Sequence, residues 1–230
     1  MVISKKSLIG IGIFLWCFFL SFLWITENKG ETYTKKVAAI QFSSPSAIDK
    51  KNKDDAWLEA AINGSIVAGF VNQGGGNLAS CQMPGFVVYD NENLYIGVRV
   101  YPSSMEKLTQ KAYRDDDKNI CRDDHIEIFT QPYLNSKTYY QFSVNSQNFK
   151  AIHYGEETPF FKTATYKGNN FWSAEILIPL SIIDITPNKG KVWGVNMAGA
   201  HTTSGFEWIT WVKAHNFHNV EKFGQLILKE

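Results

Sequence analysis

The sequence predicts an all-β fold: an antiparallel β-sandwich of the jelly-roll or immunoglobulin-like kind, preceded by one N-terminal transmembrane or signal helix. Short runs of alternating apolar and polar residues recur along the 230-residue chain and are separated by turn residues. Aromatic residues make up 14% of the chain, and such side chains fill pleated, half-buried strands well. Helical patterns are confined to a few short segments, so strands are expected to form the core.

The N-terminus carries the clearest local signal. Residues 7–25 (SLIGIGIFLWCFFLSFLWI) contain no charge and follow Lys5 and Lys6. As a helix this segment spans about 28 Å, close to the hydrocarbon thickness of a bilayer. No Ala-x-Ala-like cleavage site follows, which favours an uncleaved signal anchor over a cleaved signal peptide. Either alternative predicts an extracytoplasmic protein, membrane-anchored or secreted, with residues 1–29 as anchor and tether and residues 30–230 as the exported domain.

Strand candidates then follow one another to the C-terminus. The first is VAAIQF (37–42), and the acids that open DDAWLEAA (54–61) predict a short helical turn. Residues 85–100 (GFVVYDNENLYIGVRV) predict a hairpin, and MEKLTQKAYR (105–114) is a second helix candidate. The remaining strand candidates are DDHIEIFTQP, KTYYQFSVNSQ, FKAIHYG, FKTATYKG, NFWSAEILIPL, KVWGVNMAGAHT, FEWITWV and KFGQLILKE.

Charge and motifs argue against several classes of function. The formal net charge is +1, without the clustered Lys and Arg that phosphate binding requires, which argues against nucleic acid as a partner. The chain contains no G-x-S-x-G, H-E-x-x-H, C-x-x-C or phosphate-binding glycine loop. His215 and His218 lie three residues apart, but no further ligands accompany them, so a surface loop is the simpler interpretation.

An acidic cluster precedes one of the strand candidates. Asp115, Asp117 and Asp123 are candidate ligands of a structural Ca²⁺ ion, because carboxylate oxygens on an extracellular loop suit this cation. The alternative is that these acids only stabilise turns. Sequence neighbours on one loop are a poor match for the two carboxylates that glycoside hydrolysis places across a cleft.

The order of the motifs resembles family 9 carbohydrate-binding modules from about residue 37 to residue 230. The motifs that carry the resemblance are DDAWLEAA, NLYIGVRV, RDDHIEIFTQP, YYQFSVN, FWSAEILIP, WGVN and FHNVEKFGQLIL. The resemblance implies a DOMON-like β-sandwich of the kind found beside xylanases, non-catalytic, exported and often carrying calcium. It also implies binding of poly- or oligosaccharide, with a glycoside hydrolase as a partner in polysaccharide breakdown.

The resemblance also assigns site residues. Glu127 matches the sugar-contacting glutamate of the family, and Phe217, followed by His218, occupies the C-terminal loop that carries an aromatic clamp. Gln141 and Asn145 fall on the polar face of the neighbouring strand candidate. A structural acid that closes a hydrogen-bond network is the alternative interpretation of Glu127. The chain departs from the family in having Cys121 and Phe217 where two tryptophans belong, and Ser143 in place of an arginine.

A disulfide is a hypothesis for the cysteine at the first of these positions. Cys81 and Cys121 are the two cysteines outside the apolar segment, which contains Cys17. If residues 94–100 paired with residues 124–130, both cysteines would reach the same end of the sheet, and export would permit the bond. Closing this loop would stabilise the fold by about 4 kcal/mol on the chain-entropy model.

Two alternatives from other functional classes stay open. A DOMON-like haem or redox sandwich would need axial ligands on one pocket, for which the chain offers Met83, Met197, His153 and His201. A protein-interaction domain that has lost its sugar site would explain the missing clamp residues. An enzyme is the least favoured class, because no catalytic motif is present.

Overall fold

Strands make up most of the regular structure in the described part of the chain. The computed structural model describes residues 34–42, 55–154, 161–202 and 205–229. The strands in these ranges are β1 (Lys36–Gln41), β2 (Ile66–Val67), β3 (Val71–Asn72), β4 (Gly85–Tyr89), β5 (Asn93–Val100), β6 (His125–Gln131), β7 (Tyr140–Asn145), β8 (Lys150–Tyr154), β9 (Lys162–Lys167), β10 (Trp172–Pro179), β11 (Val192–His201), β12 (Glu207–Thr210) and β13 (Gly224–Lys229). An α-helix, α1 (Asp55–Ile62), and two 3-10 helices, Lys118–Arg122 and Val220–Lys222, are also described. These elements confirm the predicted all-β fold.

The strands form one continuous hydrogen-bonded sheet. Its order is β8-β7-β6-β11-β13-β1-β4-β5-β10-β9, with β12 joined to β11 and β3, and β2 joined to β4. β1 runs parallel to both of its neighbours, β13 and β4. The other pairings among the described strands are antiparallel. The antiparallel prediction therefore holds everywhere except around β1.

A single large core lies between distant parts of this sheet. Ile126 and Phe142 come from β6 and β7, whereas Ile96 and Trp172 come from β5 and β10, and all four belong to the same buried cluster. Strands so far apart in the sheet order can share a core only if the sheet folds over on itself. The arrangement is consistent with the predicted β-sandwich.

Period-two alternation decides which side chains enter the core and which form a second face. In β6, Ile126 and Ile128 enter the large core, while His125, Glu127 and Phe129 point to the opposite face. All seven residues of β6 are buried, so this second face is covered as well. This covered face holds the candidate site.

The structure corrects two of the local predictions. Residues 105–114 form no helix, because the backbone N–H groups of Thr109, Lys111 and Ala112 donate to the carboxylates of Asp124 and Asp123. β5 pairs with β4 and β10 rather than with β6, and β6 lies between β7 and β11. The helical turn near residues 54–61 and the hairpin at residues 85–100 are confirmed as α1 and β4–β5.

The predicted N-terminal anchor, residues 7–25, lies outside the described residues. Among the residues that are described, no helix is both long enough and apolar enough to cross a membrane.

Candidate functional site

Asp123, the first of the two adjacent acids before β6, has a structural role. Asp123 is completely buried, and its carboxylate accepts hydrogen bonds from the backbone N–H groups of Lys111 and Ala112. The side-chain amide of Asn145 on β7 donates a third bond to it, at 2.8 Å. Asp123 therefore joins the irregular segment before the 3-10 helix to the sheet.

The second acid makes an equivalent set of bonds to other segments. Asp124 accepts from the backbone N–H of Thr109 at 2.6 Å and from the backbone N–H and hydroxyl of Thr202 at 3.1 and 2.6 Å. Burial acts to raise the pKa of Asp124, but the nearby imidazole of His201, 3.5 Å away, and the hydrogen bonds from Thr202 and Thr109 outweigh it and hold the pKa below the ordinary value. Both members of the pair are structural acids.

The three calcium candidates are engaged with N–H donors. Asp115 accepts from the backbone N–H of Lys150 at 3.1 Å and from its ammonium at 2.9 Å. Asp117 caps the 3-10 helix at Lys118–Arg122 by accepting from Asn119 N at 2.9 Å. Asp123 makes the buried bonds described above. Calcium binding by these acids stays a prediction.

A row of polar side chains lies on the covered face of β6 and β7. His125 Nε2 lies 2.7 Å from Glu127 Oε1, and Gln141 Nε2 donates to Glu127 Oε2 at 2.6 Å. These three residues, named here the polar row, are buried, with Glu127 only 3% exposed. Gln141 Oε1 and the neighbouring Ser143 Oγ are buried, and neither has a hydrogen-bond partner among the described residues.

The polar row contains an ion pair between His125 and Glu127. Burial acts to lower the pKa of His125, but the hydrogen bond that His125 donates to Glu127 and the negative charge of Glu127 outweigh burial and raise it. For Glu127 burial acts to raise the pKa, and the hydrogen bond and charge of His125 reverse the direction and lower it. His125 Nδ1 is 2.8 Å from the carbonyl oxygen of Asp123, which can only accept, so Nδ1 carries a proton. A protonated His125 and an ionised Glu127 satisfy all of these contacts.

A thiol and a second imidazole adjoin the polar row. Cys121 Sγ lies 3.5 Å from His153 Nε2, and both residues are half-buried. Burial, followed by the charges of Glu127 and Asp123, raises the pKa of the Cys121 thiol to about 12. Burial also lowers the pKa of His153, which keeps its imidazole neutral near pH 7. Among the described residues, one group of three metal-binding side chains gathers within 4.8 Å: Cys121, His125 and Glu127.

The predicted disulfide between Cys81 and Cys121 is wrong, because both cysteines are free thiols in the structure. Cys81 Sγ instead donates to the carbonyl oxygen of Tyr101 at 3.3 Å, while Cys121 contacts His153. The prediction failed because it required β5 to pair with β6, and these strands are not neighbours.

We expect alkylation to show whether these two cysteines are free thiols or are joined in a disulfide. In denaturant without reductant, Cys81 and Cys121 should each accept one alkyl group, measured by peptide mass spectrometry. In the folded protein at pH 8, alkylation of Cys81 should be slow, because burial and the charges of Glu207 and Asp124 raise its pKa to about 12. That shift reduces the reactive thiolate by about a thousandfold. Recovery of a peptide pair linked through Cys81 and Cys121 would contradict the expectation.

Aromatic rings cover the outer side of the polar row. Phe129 on β6 is fully buried and lies at the centre of a cluster that includes Phe217, Phe223 and the partly buried Trp208. Trp208 on β12 contacts His125 edge-on, with ring centroids 6.1 Å apart. The C-terminal loop therefore closes over β6 through edge-to-face ring contacts.

Part of this cluster reaches the solvent. Phe206 is 52% exposed and meets Trp208 edge-on at 4.8 Å. His218 is also exposed, and its Nδ1 lies 2.8 Å from the hydroxyl of the half-buried Tyr139. These four residues, Phe206, Trp208, Tyr139 and His218, are named here the aromatic surface. It places apolar ring area beside a buried carboxylate and amide.

Comparison with known proteins identifies the family. The family model described as carbohydrate family 9 binding domain-like matches residues 48–230, which is most of the chain. The chain belongs to the family 9 carbohydrate-binding modules. Family 9 modules are non-catalytic, which confirms the prediction of a binding module rather than an enzyme.

Solved structures with the same fold support the architecture of this family 9 module. A family 9 module from Caldicellulosiruptor kristjanssonii in complex with cellotriose is 18% identical, with a TM-score of 0.63 over 85% of this chain and 94% of that chain. Its complex with glucose gives 19% identity and the same TM-score, over 85% and 96% of the two chains. A candidate carbohydrate-binding protein from Bacteroides uniformis is 15% identical, with a TM-score of 0.65 over 86% and 100%. No match was found among curated protein sequences.

The structure of the family 9 module brings together some of the predicted sugar-binding residues. Glu127 and Gln141 are bonded to each other in the polar row, and His218 lies on the aromatic surface. Phe217 is only 5% exposed and packs edge-on against Phe129 and Trp208, so it supports the neighbouring rings instead of presenting a face. Asn145 is fully buried, and its side chain bonds to Asp123 and to the backbone N–H groups of residues 147 and 149.

Several residues of the candidate site were not among the predicted ones. Trp208 lies in FEWITWV, where it alternates with Ile209 and Trp211; these two enter the core and Trp208 does not. This alternation is a sequence pattern that predicts Trp208 to lie outside the large core. His125 shares the face of Glu127, and its role could have been inferred from the spacing of two residues. His153 had no local signal that linked it to Cys121.

Of the residues considered as haem ligands, His153 lies apart from the two methionines. Met83 and Met197 are buried in the large core of the family 9 module. His201 is also buried, with Nδ1 3.5 Å from Asp124 Oδ1, whereas His153 contacts Cys121 on the covered face.

Proposed function

We propose that this family 9 module binds an oligo- or polysaccharide at the aromatic surface, beside Glu127 and Gln141. The observation that carries the proposal is the edge-on contact of Trp208 with His125 of the polar row, while Trp208 also meets the exposed ring of Phe206. A sugar ring has an apolar C–H face and a rim of hydroxyl groups. Aromatic rings complement the face, and carboxylate or amide groups complement the rim.

The polar atoms available to such a ligand can be named. Gln141 Oε1 and Ser143 Oγ have no partner within the described residues, and buried polar atoms ordinarily have one. Sugar hydroxyls can both donate and accept, so they can bond to either atom after a small movement of the covering rings. The solved family 9 module with cellotriose and glucose suggests gluco-oligosaccharides as the first probes.

We also propose the cellular setting that the sequence predicts. The apolar segment at residues 7–25 and the preceding lysines favour export with retention at the membrane. Recognition of polysaccharide would then occur outside the cytoplasm, beside a glycoside hydrolase that supplies the catalysis.

Protease accessibility tests export. In cells whose outer membrane has been permeabilised and whose inner membrane is intact, we expect added protease to digest residues 34–229. Full protection of these residues would contradict export.

Replacing Trp208 by Ala tests the sugar site. We expect the full-length Trp208→Ala protein to bind cello-oligosaccharides at least tenfold more weakly, or by about 1.4 kcal/mol or more, because an aromatic contact surface is lost. Isothermal titration calorimetry measures the effect. Tyr166→Ala is the matched control, since Tyr166 is 48% exposed on β9, at the opposite edge of the sheet.

The control should bind like the parent protein. Equal losses in both variants, or a folded parent protein that binds no glycan in a broad array, would contradict the proposed function. In the second case the aromatic surface would be examined as a contact for a protein.

A further inference from the structure

Three potential metal ligands, Cys121, His125 and Glu127, gather at one end of the polar row, and His153 adjoins them through its contact with Cys121. They come from the 3-10 helix (Cys121), from β6 (His125 and Glu127) and from β8 (His153). Their ligand atoms include a thiol sulfur, two imidazole nitrogens and a carboxylate oxygen. We propose that these four residues bind one thiophilic divalent metal ion, with Zn²⁺ as the best match.

His125 is already oriented as a metal ligand. Its Nδ1 donates to the carbonyl oxygen of Asp123 at 2.8 Å, so Nε2 is the nitrogen that faces the cluster. Metal-bound histidines ordinarily donate their other ring N–H to a carbonyl or carboxylate in this way. The bond fixes both the tautomer and the ring orientation.

Glu127 is held by a similar partner. Gln141 donates to Oε2 at 2.6 Å, which leaves Oε1 directed toward His125. The two central ligands are therefore positioned by groups that do not bind the metal themselves. Because Glu127 and His125 are buried, the surrounding protein atoms and not the solvent determine their positions.

The spacing of the cluster suits a tetrahedral ion. Zn–S and Zn–N bonds of about 2.3 and 2.0 Å place neighbouring ligand atoms roughly 3.3–3.8 Å apart. Cys121 Sγ and His153 Nε2 are 3.5 Å apart, and the ligand atoms of Cys121, His125 and Glu127 all lie within 4.8 Å of one another. His125 Nε2 and Glu127 Oε1, now 2.7 Å apart around a shared proton, would separate by about 0.6 Å, to the roughly 3.3 Å expected for two such ligands.

The charges of the cluster balance around a divalent ion. Binding releases two protons, one from the Cys121 thiol and one from the pair formed by His125 and Glu127. The resulting thiolate and carboxylate carry two negative charges, and the two imidazoles are neutral. Their sum with a divalent cation is zero, which avoids an uncompensated charge in a buried site. Thiolate and imidazole ligands favour Zn²⁺ over Ca²⁺, which prefers oxygen ligands.

A path into the cluster exists through its outer members. Cys121 and His153 are half-buried, whereas His125 and Glu127 are enclosed. An ion can meet the thiol and the His153 imidazole first and then replace the proton between His125 and Glu127. The inference does not rest on sugar binding, because the probe is the metal alone.

The test uses Co²⁺ as a visible substitute for Zn²⁺. Full-length protein, purified in detergent and stripped with a chelator, is titrated with Co²⁺. We expect one equivalent to produce a thiolate-to-cobalt charge-transfer band and tetrahedral d–d bands, both removed by one equivalent of Zn²⁺. Cys121→Ser should abolish the charge-transfer band and weaken Zn²⁺ binding by at least about a hundredfold.

Cys81→Ser is the matched control, because Cys81 is buried elsewhere and bonded to Tyr101. It should keep both the band and the affinity. His153→Ala is a second ligand variant, which should weaken Zn²⁺ binding while the near-ultraviolet circular dichroism of the folded protein is unchanged. Failure of the folded parent protein to bind either metal would overturn the proposal, as would a charge-transfer band that survives in Cys121→Ser.

Discussion

Replacing Asp123 by Asn should lower the free energy of unfolding by about 3–5 kcal/mol, although the two side chains have nearly the same shape. The buried carboxylate accepts from Lys111 N, Ala112 N and Asn145 Nδ2. An amide has one acceptor oxygen in place of two and presents N–H groups to a site that already contains three donors. At least one buried donor then loses its partner, together with the stabilisation that a charged acceptor provides.

Urea unfolding followed by circular dichroism measures this effect, with an unchanged dependence on urea as the sign that the unfolded state is the same. Asp115→Ala is the control. Its carboxylate is 49% exposed and pairs with Lys150, and exposed ion pairs contribute only about 0–1 kcal/mol. If Asp123→Asn costs less than about 1 kcal/mol, the structural role assigned to the paired acids is wrong.

The identity of the strands could be predicted from the sequence, but most of their neighbours could not. Alternation in HIEIF shows which side chains share a face of β6, and the structure places Ile126 and Ile128 in the core accordingly. Alternation contains no information about which strand lies alongside. β6 and β11 are separated by about 60 residues, so their pairing depends on the whole core.

The failed helix at residues 105–114 has a comparable cause. The segment has helix-forming residues, yet the N–H groups that a helix would use donate to Asp123 and Asp124. These acceptors lie 11 to 15 residues further along the chain. Local propensity is a weak preference, and buried charged acceptors outweigh it.

The candidate site was predictable where it depends on one strand. Glu127 and Gln141 occupy the face that alternation assigns to them, and they contact each other across β6 and β7. His153 was not predictable, because a register irregularity between β7 and β8 determines its position. Ile152 pairs with Phe142 and Tyr154 with Gln141, so His153 is an extra residue in β8 and its contact with Cys121 has no counterpart in the sequence pattern.

The cysteine before β6 is accounted for by the same geometry. The resemblance to family 9 predicts an aromatic ring at this position, and in this chain the Cys121 thiol contacts the imidazole of His153 there, with Sγ 3.5 Å from Nε2. Glu127 then has His125 on one oxygen and Gln141 on the other. Under the proposed metal site, the thiol at this position supplies a metal ligand.

Replacing Gly199 by Ala should destabilise the protein by about 3 kcal/mol, at the upper end of the cost of overpacking. Gly199 lies in β11 opposite Ile126. A Cβ atom there would lie well inside van der Waals contact of the His125 carbonyl oxygen and 3.3 Å from Met83 Sδ. The carbonyl belongs to the backbone of β6 and cannot rotate away as a side chain would, so β6 and β11 must move apart.

The displacement of β6 should also weaken metal binding, since this strand carries His125 and Glu127. Urea unfolding gives the stability of Gly199→Ala, and the Co²⁺ titration gives its metal affinity, which should fall together with the stability.

Gly75→Ala is the matched control, because the atom nearest to a Cβ added at this position is Asn77 N at 4.0 Å. This control should change the free energy of unfolding by less than about 1 kcal/mol, in the stabilising direction, because alanine restricts the unfolded chain more than glycine does. Equal stability of the two variants would mean that β6 and β11 are not held as closely as the contact at Gly199 requires.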